Sequence, residues 1–385
     1  MLCLKNARIF DGISFIKKKN IIISEGTIKD LSNRKINKNI NKEIDLKENI
    51  IAPGFIDIQL NGGGGAFFNE TPTQAALLKI SRAHILHGTT SFLPTLITDD
   101  YSKIPLAVQT INKCISEKMP GILGIHFEGP FISKEKNGIH AKQFIRTPSL
   151  EEIKLMTSLK NCKTLITIAP EIMGSDQIKS LLKKNITIFA GHTNASFNQM
   201  NNAFDLGIKG VTHLFNACSQ FGSREPGVVG AFLLNDKAWC GIIADGLHVS
   251  FDSLRLAFKI KNRNKFILVS DTMAPFGTNM KNFFINDNEI FVRDGKYVNS
   301  DGTLAGAALS IYEAFKNLIK NKLVSLEEAL PMTSTNAAEC LEIDGSHKHS
   351  MMRGRILPGF AADLVVLDKS NLKIKNVIQS GKIIF

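Results

Sequence analysis

No stretch of this 385-residue chain approaches twenty uninterrupted apolar residues, and Met1-Leu-Cys-Leu-Lys-Asn opens it without a long apolar segment. Neither a membrane span nor a secretory leader is expected. Cysteine is sparse: Cys3, Cys114, Cys162, Cys218, Cys240 and Cys340 include no Cys-x-x-Cys pair. That scatter excludes a disulfide framework and a cysteine-based zinc site, and predicts reduced, buried thiols in a cytoplasmic protein. The formal charge is +12, but no basic stripe is interleaved with aromatics. The lysines are dispersed among Asn and Ile, in runs such as 17–19 and 35–42. A solvated surface is expected and a nucleic-acid partner is not, while a basic pocket for an anionic substrate stays open.

Short apolar runs recur through the middle of the chain, at 54–60, 89–96, 122–128, 164–170, 186–192, 210–216, 239–246 and 266–271. Helical patterns such as 73–87, 149–159, 176–184 and 198–206 separate most of them. Eight continuous apolar runs alternating with helices predict an α/β fold, a (β/α)8 barrel whose strands are buried on both faces. An open doubly wound sheet is the alternative, but no Gly-x-Gly-x-x-Gly follows the first run. Gly62–Gly65 read as a flexible loop, with a phosphate cradle as the alternative. Residues 2–9 and 20–24, with a turn at Glu25-Gly26, read as strands, and so do 363–368 and 376–385. Both ends together predict one small β-sandwich domain built from 1–52 and 359–385, flanking a catalytic barrel over 53–358.

Polar residues gather at the carboxyl ends of the apolar runs, where a barrel builds its site. Glu128, His192 and His213 close the third, fifth and sixth runs. Two imidazoles and a carboxylate with one open position form a catalytic zinc-type ligand set; singly, each would read as a hydrogen-bonded core residue. Asp271 closes the eighth run, either as a helix cap or as a general base. His126 shares a strand face with Glu128 and reads as a buried supporting partner rather than a ligand. One expected pair is missing: a two-metal hydrolase would place His-x-His where the chain has Gln59 and Asn61.

Seven segments carry a resemblance. They are Pro-Gly-Phe-Ile-Asp-Ile-Gln-Leu-Asn-Gly (53–62), His-Phe-Glu-Gly-Pro (126–130), Ala-Gly-His-Thr-Asn-Ala (190–195), Thr-His-Leu-Phe-Asn-Ala (212–217), Arg-Glu-Pro-Gly (224–227), Ile-Ile-Ala-Asp-Gly-Leu-His (242–248) and Ser-Asp-Thr-Met-Ala-Pro (270–275). In this order the chain resembles the N-acetylglucosamine-6-phosphate deacetylases of the amidohydrolase superfamily along nearly its whole length.

The resemblance implies hydrolysis of the phosphorylated N-acetyl amino sugar to the amine and acetate. It also implies a single divalent ion on Glu128, His192 and His213, zinc first, with iron or cobalt as alternatives. Gln59 and Asn61 then mean loss of a second metal, because neutral amides are poor ligands beside imidazole. Asp271 becomes the general base. His140, with Ile139 beside it, matches a position near the acetyl carbonyl, although a surface-loop His is the alternative. Asn216, Ala217, Arg224, His248 and the segment Asp245-Gly246-Leu247 match substrate contacts. For Arg224 the alternative is a loop ion pair with Glu225. The family's Arg is supplied by a dimer partner, so a homodimer or homotetramer is implied. Leu304-Ala305-Gly306 replaces a Leu-Ser-Gly segment, leaving only backbone roles at 305, and 218–221 depart from the family loop.

Overall fold

The computed structural model describes residues 1–17, 19–32, 40–183, 186–346 and 352–385. Most of the basic run at 35–42, Lys18, and the end of the 176–184 helical pattern lie outside them.

Eight parallel strands form the central sheet. They are β1 (Phe55–Leu60), β2 (Thr89–Ile97), β3 (Gly124–Glu128), β4 (Lys163–Ile168), β5 (Thr187–Ala190), β6 (Gly210–Val211), β7 (Trp239–Ile242) and β8 (Phe266–Leu268). Their spatial order follows the chain from β8 back to β1. Every residue of β1, β2 and β3 is buried, because helices cover the outer face and packed side chains fill the inner one. Several strands stop earlier than their apolar runs. The polar residues that end those runs stand in the loops above the sheet, among them His192, His213 and Asp271.

Local chemistry sets the helix starts. Ser149, Ser196 and Ser310 each accept a backbone N–H three residues on, and Glu152, Gln199 and Glu313 return the bond to the cap. The helix Phe197–Leu206 ends at Gly207, whose φ of 117° suits a residue without a Cβ.

The first and last barrel strands are joined by contacts beyond the ladder. Asp271 N–H donates to the Gln59 carbonyl at 2.9 Å, and Asn61 N–H donates to the Thr272 carbonyl at 3.1 Å. Beneath them the Asp57 Oδ1 accepts the N–H groups of Gln59 (3.1 Å) and Ser270 (3.3 Å). This seam fixes residues 59–61 against 270–272.

Both termini enter the flanking sheets. Ile50–Pro53 pairs parallel with Arg8–Phe10 and antiparallel with Leu364–Leu367, within a six-stranded sheet. Leu2–Lys5 lies instead in a four-stranded sheet. The single strand expected over 2–9 is therefore two strands, broken at Asn6, whose φ is 56°. Asparagine tolerates this left-handed conformation, and the kink sends each half to a different sheet.

One element went unread in the sequence. Asn282–Ile285, Asn288–Arg293 and Lys296–Val298 form an antiparallel three-stranded sheet after β8. Asn286-Asp287 and Asp294-Gly295 make its two turns, and an Asp-Gly between apolar stretches is a hairpin signal. The sheet packs Phe283, Ile285, Ile290 and Tyr297 onto Met273 and Ile97, above the barrel mouth.

Asp57→Ala would leave the buried N–H groups of Gln59 and Ser270 without their shared acceptor. Unfolding should become easier by about 2–6 kcal/mol, from roughly 1–3 kcal/mol for each of the two orphaned donors, read as a lower urea midpoint. An unchanged midpoint would show that the backbone bonds alone hold the seam.

Candidate active site

Glu128 ends β3, and His192 and His213 follow β5 and β6 by two residues each. Their tips converge. The His192 Nε2 lies 3.1 Å and the His213 Nε2 2.9 Å from the Glu128 Oε1, and the two Nε2 atoms are 3.0 Å apart. One proton can bridge only one pair in such a cluster, so the remaining lone pairs face each other across a gap suited to a cation. Bonds of about 2 Å to a small divalent ion need only slight movement from these spacings. The donor set therefore fits the metal that the sequence implies.

The burial of this cluster dictates its electrostatics. Burial pushes the Glu128 carboxyl up, but hydrogen bonds from His192 and His213 outweigh it and hold the group well below the usual carboxylate range. Burial also pushes His213 down, and the Glu128 carboxylate more than reverses it. Asp271 is pushed up to about 6, first by burial and then by the charge of Glu128.

Gln59 and Asn61 turn their amide nitrogens on these carboxylates. The Gln59 Nε2 donates to Glu128 Oε1 at 3.0 Å and reaches Asp271 Oδ1 at 3.3 Å. The Asn61 Nδ2 donates to the same Asp271 oxygen at 2.7 Å. The second carboxylate oxygen of Asp271 receives neither amide. Where His-x-His would present lone pairs to a second ion, this chain presents N–H donors to an anion.

The backbone bends to aim these groups. His192, His213, Ala217 and Asp271 have φ of 48°, 30°, 43° and 48°. Non-glycine residues adopt this region at a cost of roughly 1–3 kcal/mol each, and such residues cluster where function needs the geometry. No sequence pattern announces them.

A cavity of about 350 Å³ opens over the cluster, within the range of small-molecule sites. Its walls bring together most of the predicted residues: Glu128, Ile139, His140, His192, His213, Asn216, Ala217, His248, Asp271, Leu304 and Gly306. His140 is buried, not a surface-loop residue; burial and then His192 press its pKa well below the ordinary imidazole range. His140, Glu128 and His192 also bring ligand atoms within 4.8 Å of one another, so His140 competes with His213 on proximity alone. The closer spacing of His213 favours the set read from the sequence.

Other predicted residues stand back. Asp245 does not line the cavity; its Oδ2 holds the His248 Nδ1 at 2.6 Å and so fixes that ring. Gly246 and Leu247 form the turn between them. Ala305 is fully buried under the three-stranded sheet and offers the cavity nothing. Arg224 lies on an exposed turn away from the cavity walls. Glu225 spends Oε1 on the N–H groups of Phe197 and Gly227, at 2.7 and 2.9 Å, and forms no ion pair with Arg224 among the described residues.

His126 supports from below, with Nε2 2.7 Å from the Thr167 hydroxyl and Nδ1 3.4 Å from that of Thr95. Burial pushes it down to about 4, so it stays neutral. Gly62–Gly65 is tied into the fold: Gly62-Gly63 pair with Ala66-Phe67, and the N–H groups of Gly62, Gly64 and Gly65 donate to the carbonyls of Thr272, Phe276 and Ala274. Two neighbours of the site escaped the sequence reading. Thr98 contacts the His140 Nδ1 at 2.8 Å, and the Lys136 carbonyl lies 2.9 Å from the His192 Nδ1. Neither carries a motif that would single it out.

Comparison with known proteins gives one answer. The chain is 37% identical to the N-acetylgalactosamine-6-phosphate deacetylase of Shewanella sp. (strain ANA-3), over 84% of this chain and 80% of that one. It is 33% identical to the N-acetylglucosamine-6-phosphate deacetylase of Haemophilus influenzae, over 89% and 88%. The crystal structure of N-acetylglucosamine-6-phosphate deacetylase from Pasteurella multocida superposes with a TM-score of 0.92 at 32% identity, covering 99% of each chain. The model of the amidohydrolase family matches residues 50–384, and with this barrel and this site the chain belongs to that family.

Proposed function

We propose that the chain removes the acetyl group from an N-acetyl hexosamine 6-phosphate, N-acetyl-D-glucosamine 6-phosphate first, giving the amino sugar phosphate and acetate. The observation that carries this reading is the convergence of Glu128, His192 and His213 beside Asp271 at the floor of the cavity. A divalent ion held by those three residues supplies Lewis acidity to the acetamide carbonyl and to water. Asp271 takes the proton as the water oxygen bonds to the carbonyl carbon, and returns it to the nitrogen as the C–N bond breaks. Its Oδ1, occupied by the amides of Gln59 and Asn61, leaves Oδ2 for that proton. His140 stands where it can hydrogen-bond the carbonyl oxygen as negative charge builds there. His248, braced by Asp245, and Asn216-Ala217 form the wall assigned to the sugar phosphate.

Arg224 belongs to the same reading through a second copy of the chain, since it does not line its own cavity. A homodimer or homotetramer follows, with zinc as the first choice of ion, a cytoplasmic location, and a barrel over 53–358 flanked by one small domain from both ends. A second sugar deserves equal trial. The galacto-configured substrate is named for the relative at 37% identity, against 33% for the gluco-specific one. The deciding assay is acetate release from both epimeric 6-phosphates and from unphosphorylated N-acetylglucosamine, with and without chelator. No chelator-sensitive release from either phosphate would overturn the proposal.

The site should hold one tightly bound divalent ion per chain. Elemental analysis of active protein returning two would show that Gln59 and Asn61 do not abolish the second position. Asp271→Asn keeps a hydrogen-bonding oxygen but cannot carry the proton, so kcat should fall by about 10²–10⁴ with metal content unchanged. Near-normal turnover would move the base elsewhere. Arg224→Ala removes charged donors from the phosphate and should lower kcat/KM for the 6-phosphate by about 10- to 150-fold, sparing the weak activity on the unphosphorylated sugar. Equal losses on both sugars would make Arg224 structural.

A further inference from the structure

His140 and His192 are neighbours, with ring centroids 4.2 Å apart, yet the backbone groups beside them differ in kind. The His192 Nδ1 lies 2.9 Å from the carbonyl oxygen of Lys136. A carbonyl only accepts, so this Nδ1 carries a proton and Nε2 keeps its lone pair for an ion. The His140 Nδ1 faces the opposite chemistry. The backbone N–H of Thr98 points at it from 3.3 Å, and the Thr98 hydroxyl lies 2.8 Å away. A backbone N–H only donates, so this Nδ1 is the unprotonated nitrogen and the proton sits on Nε2.

We infer that Thr98 is a positioning residue: it locks His140 in the Nε2–H tautomer, which bars the ring from the ion and makes it a hydrogen-bond donor to the substrate's acetyl oxygen. Two adjacent imidazoles are thereby given opposite tasks, one by the Lys136 carbonyl and the other by the N–H and hydroxyl of Thr98. The lock also resolves the competition for the third ligand place in favour of His213, whose Nε2 has no such constraint.

Thr98 is well held for this task. It directly follows β2, and its hydroxyl sits between the His140 Nδ1 at 2.8 Å and the Glu128 carbonyl at 3.4 Å; with one proton to give, it donates along the shorter contact to the Nδ1 that the backbone N–H already marks as an acceptor. The fit is close: a Cβ on the next residue, Gly129, would meet the Thr98 Oγ1 at 2.2 Å, and Gly129 has a φ of +86°. Glycine at 129 is what lets the hydroxyl approach. On the loop side, His140 is anchored by its own N–H to the Asn137 carbonyl at 3.0 Å, and Asn137 Nδ2 returns a bond to the His140 carbonyl at 2.9 Å.

The inference rests on the deacetylase reading for the oxygen that His140 serves, but the tautomer can be read without any substrate. Zinc-loaded protein labelled with ¹⁵N in its histidine rings would be examined by long-range ¹H–¹⁵N correlation, with His140→Gln used to assign the resonances. The expected pattern is a pyridine-like Nδ1 and a protonated Nε2 for His140, and the reverse for an ion-bound His192. A protonated Nδ1 on His140, or a His140 Nε2 bound to zinc, overturns the proposal. In kinetics on the phosphorylated sugar, Thr98→Val removes the hydroxyl while keeping shape, and should lower kcat about 5- to 20-fold with KM and zinc content nearly unchanged. Thr98→Ser should restore most of the loss. His140→Gln, whose amide nitrogen falls near Nε2, should retain more activity than His140→Asn, which places its amide near Nδ1. Wild-type kcat in Thr98→Val, or parallel loss of kcat, KM and zinc that Thr98→Ser does not rescue, overturns it. Absence of acetate release from the wild-type protein would fault the deacetylase reading and leave the spectroscopic result standing.

Discussion

A carboxylate buried away from water is the constraint around which this site is arranged. Glu128 is 2% exposed, and the cost of an isolated ion at that depth is several kcal/mol or more. Its Oε1 is met by three nitrogens, from Gln59, His192 and His213. Asp271 adds a second, half-buried carboxylate that shares the Gln59 amide. Burial and then the charge of Glu128 raise Asp271, while the hydrogen bonds from His192 and His213 hold Glu128 low. In the proposed function Glu128 holds the divalent ion and Asp271 stays free to exchange protons. The division of labour between them follows from which carboxylate the imidazoles face.

The amides at 59 and 61 complete that arrangement at the closing seam of the barrel. In this chain they stabilise Asp271 with N–H dipoles, where a second ion would do so with full charge. Dipoles leave the carboxyl less strongly ionised, with its pKa near the range where a group both takes and returns a proton. The seam itself makes this possible, since bonds from 271–272 to 59–61 hold β1 and β8 in register.

Most of the architecture was legible because buried parallel strands read as unbroken apolar runs, and all eight were found within a few residues. The errors lie at the ends. His192, His213 and Asp271 were read as strand termini but sit in left-handed turns beyond them, and single-residue conformations of that kind leave no periodicity. The three-stranded sheet at 282–298 was missed because residue type does not follow burial there: Asn282–Ile285 alternates exposed and buried, but the exposed position 284 is a Phe, which hides the period of two. Glu128, His192 and His213 were picked out by residue type near strand ends, the resemblance pointed to the same three, and the structure brings their tips together. Thr98 and Lys136 act through a hydroxyl, an N–H and a carbonyl, and groups present in every residue carry no signature.

The cavity's charge is the last link between fold and substrate. Its described walls carry Glu128, Glu135 and Asp271 against a single lysine, Lys136, and the imidazole of His248. A divalent ion offsets about two of those three carboxylates, leaving little surplus positive charge to replace the water around a phosphate dianion. Arginine is the side chain whose planar fork suits that exchange, and Arg224, to which the proposal gives this role, stands outside the cavity on an exposed turn. Glu225 beside it is committed to capping backbone N–H groups, which leaves the guanidinium of Arg224 without that neighbour. Beside it on the same loop, Phe221 is 68% exposed, an apolar surface that a neighbouring subunit would cover. Among the described residues the walls of one chain thus gather the groups that the proposed amide hydrolysis needs but little positive charge for a phosphate, which is why that proposal looks to Arg224 of a second copy for the missing cation.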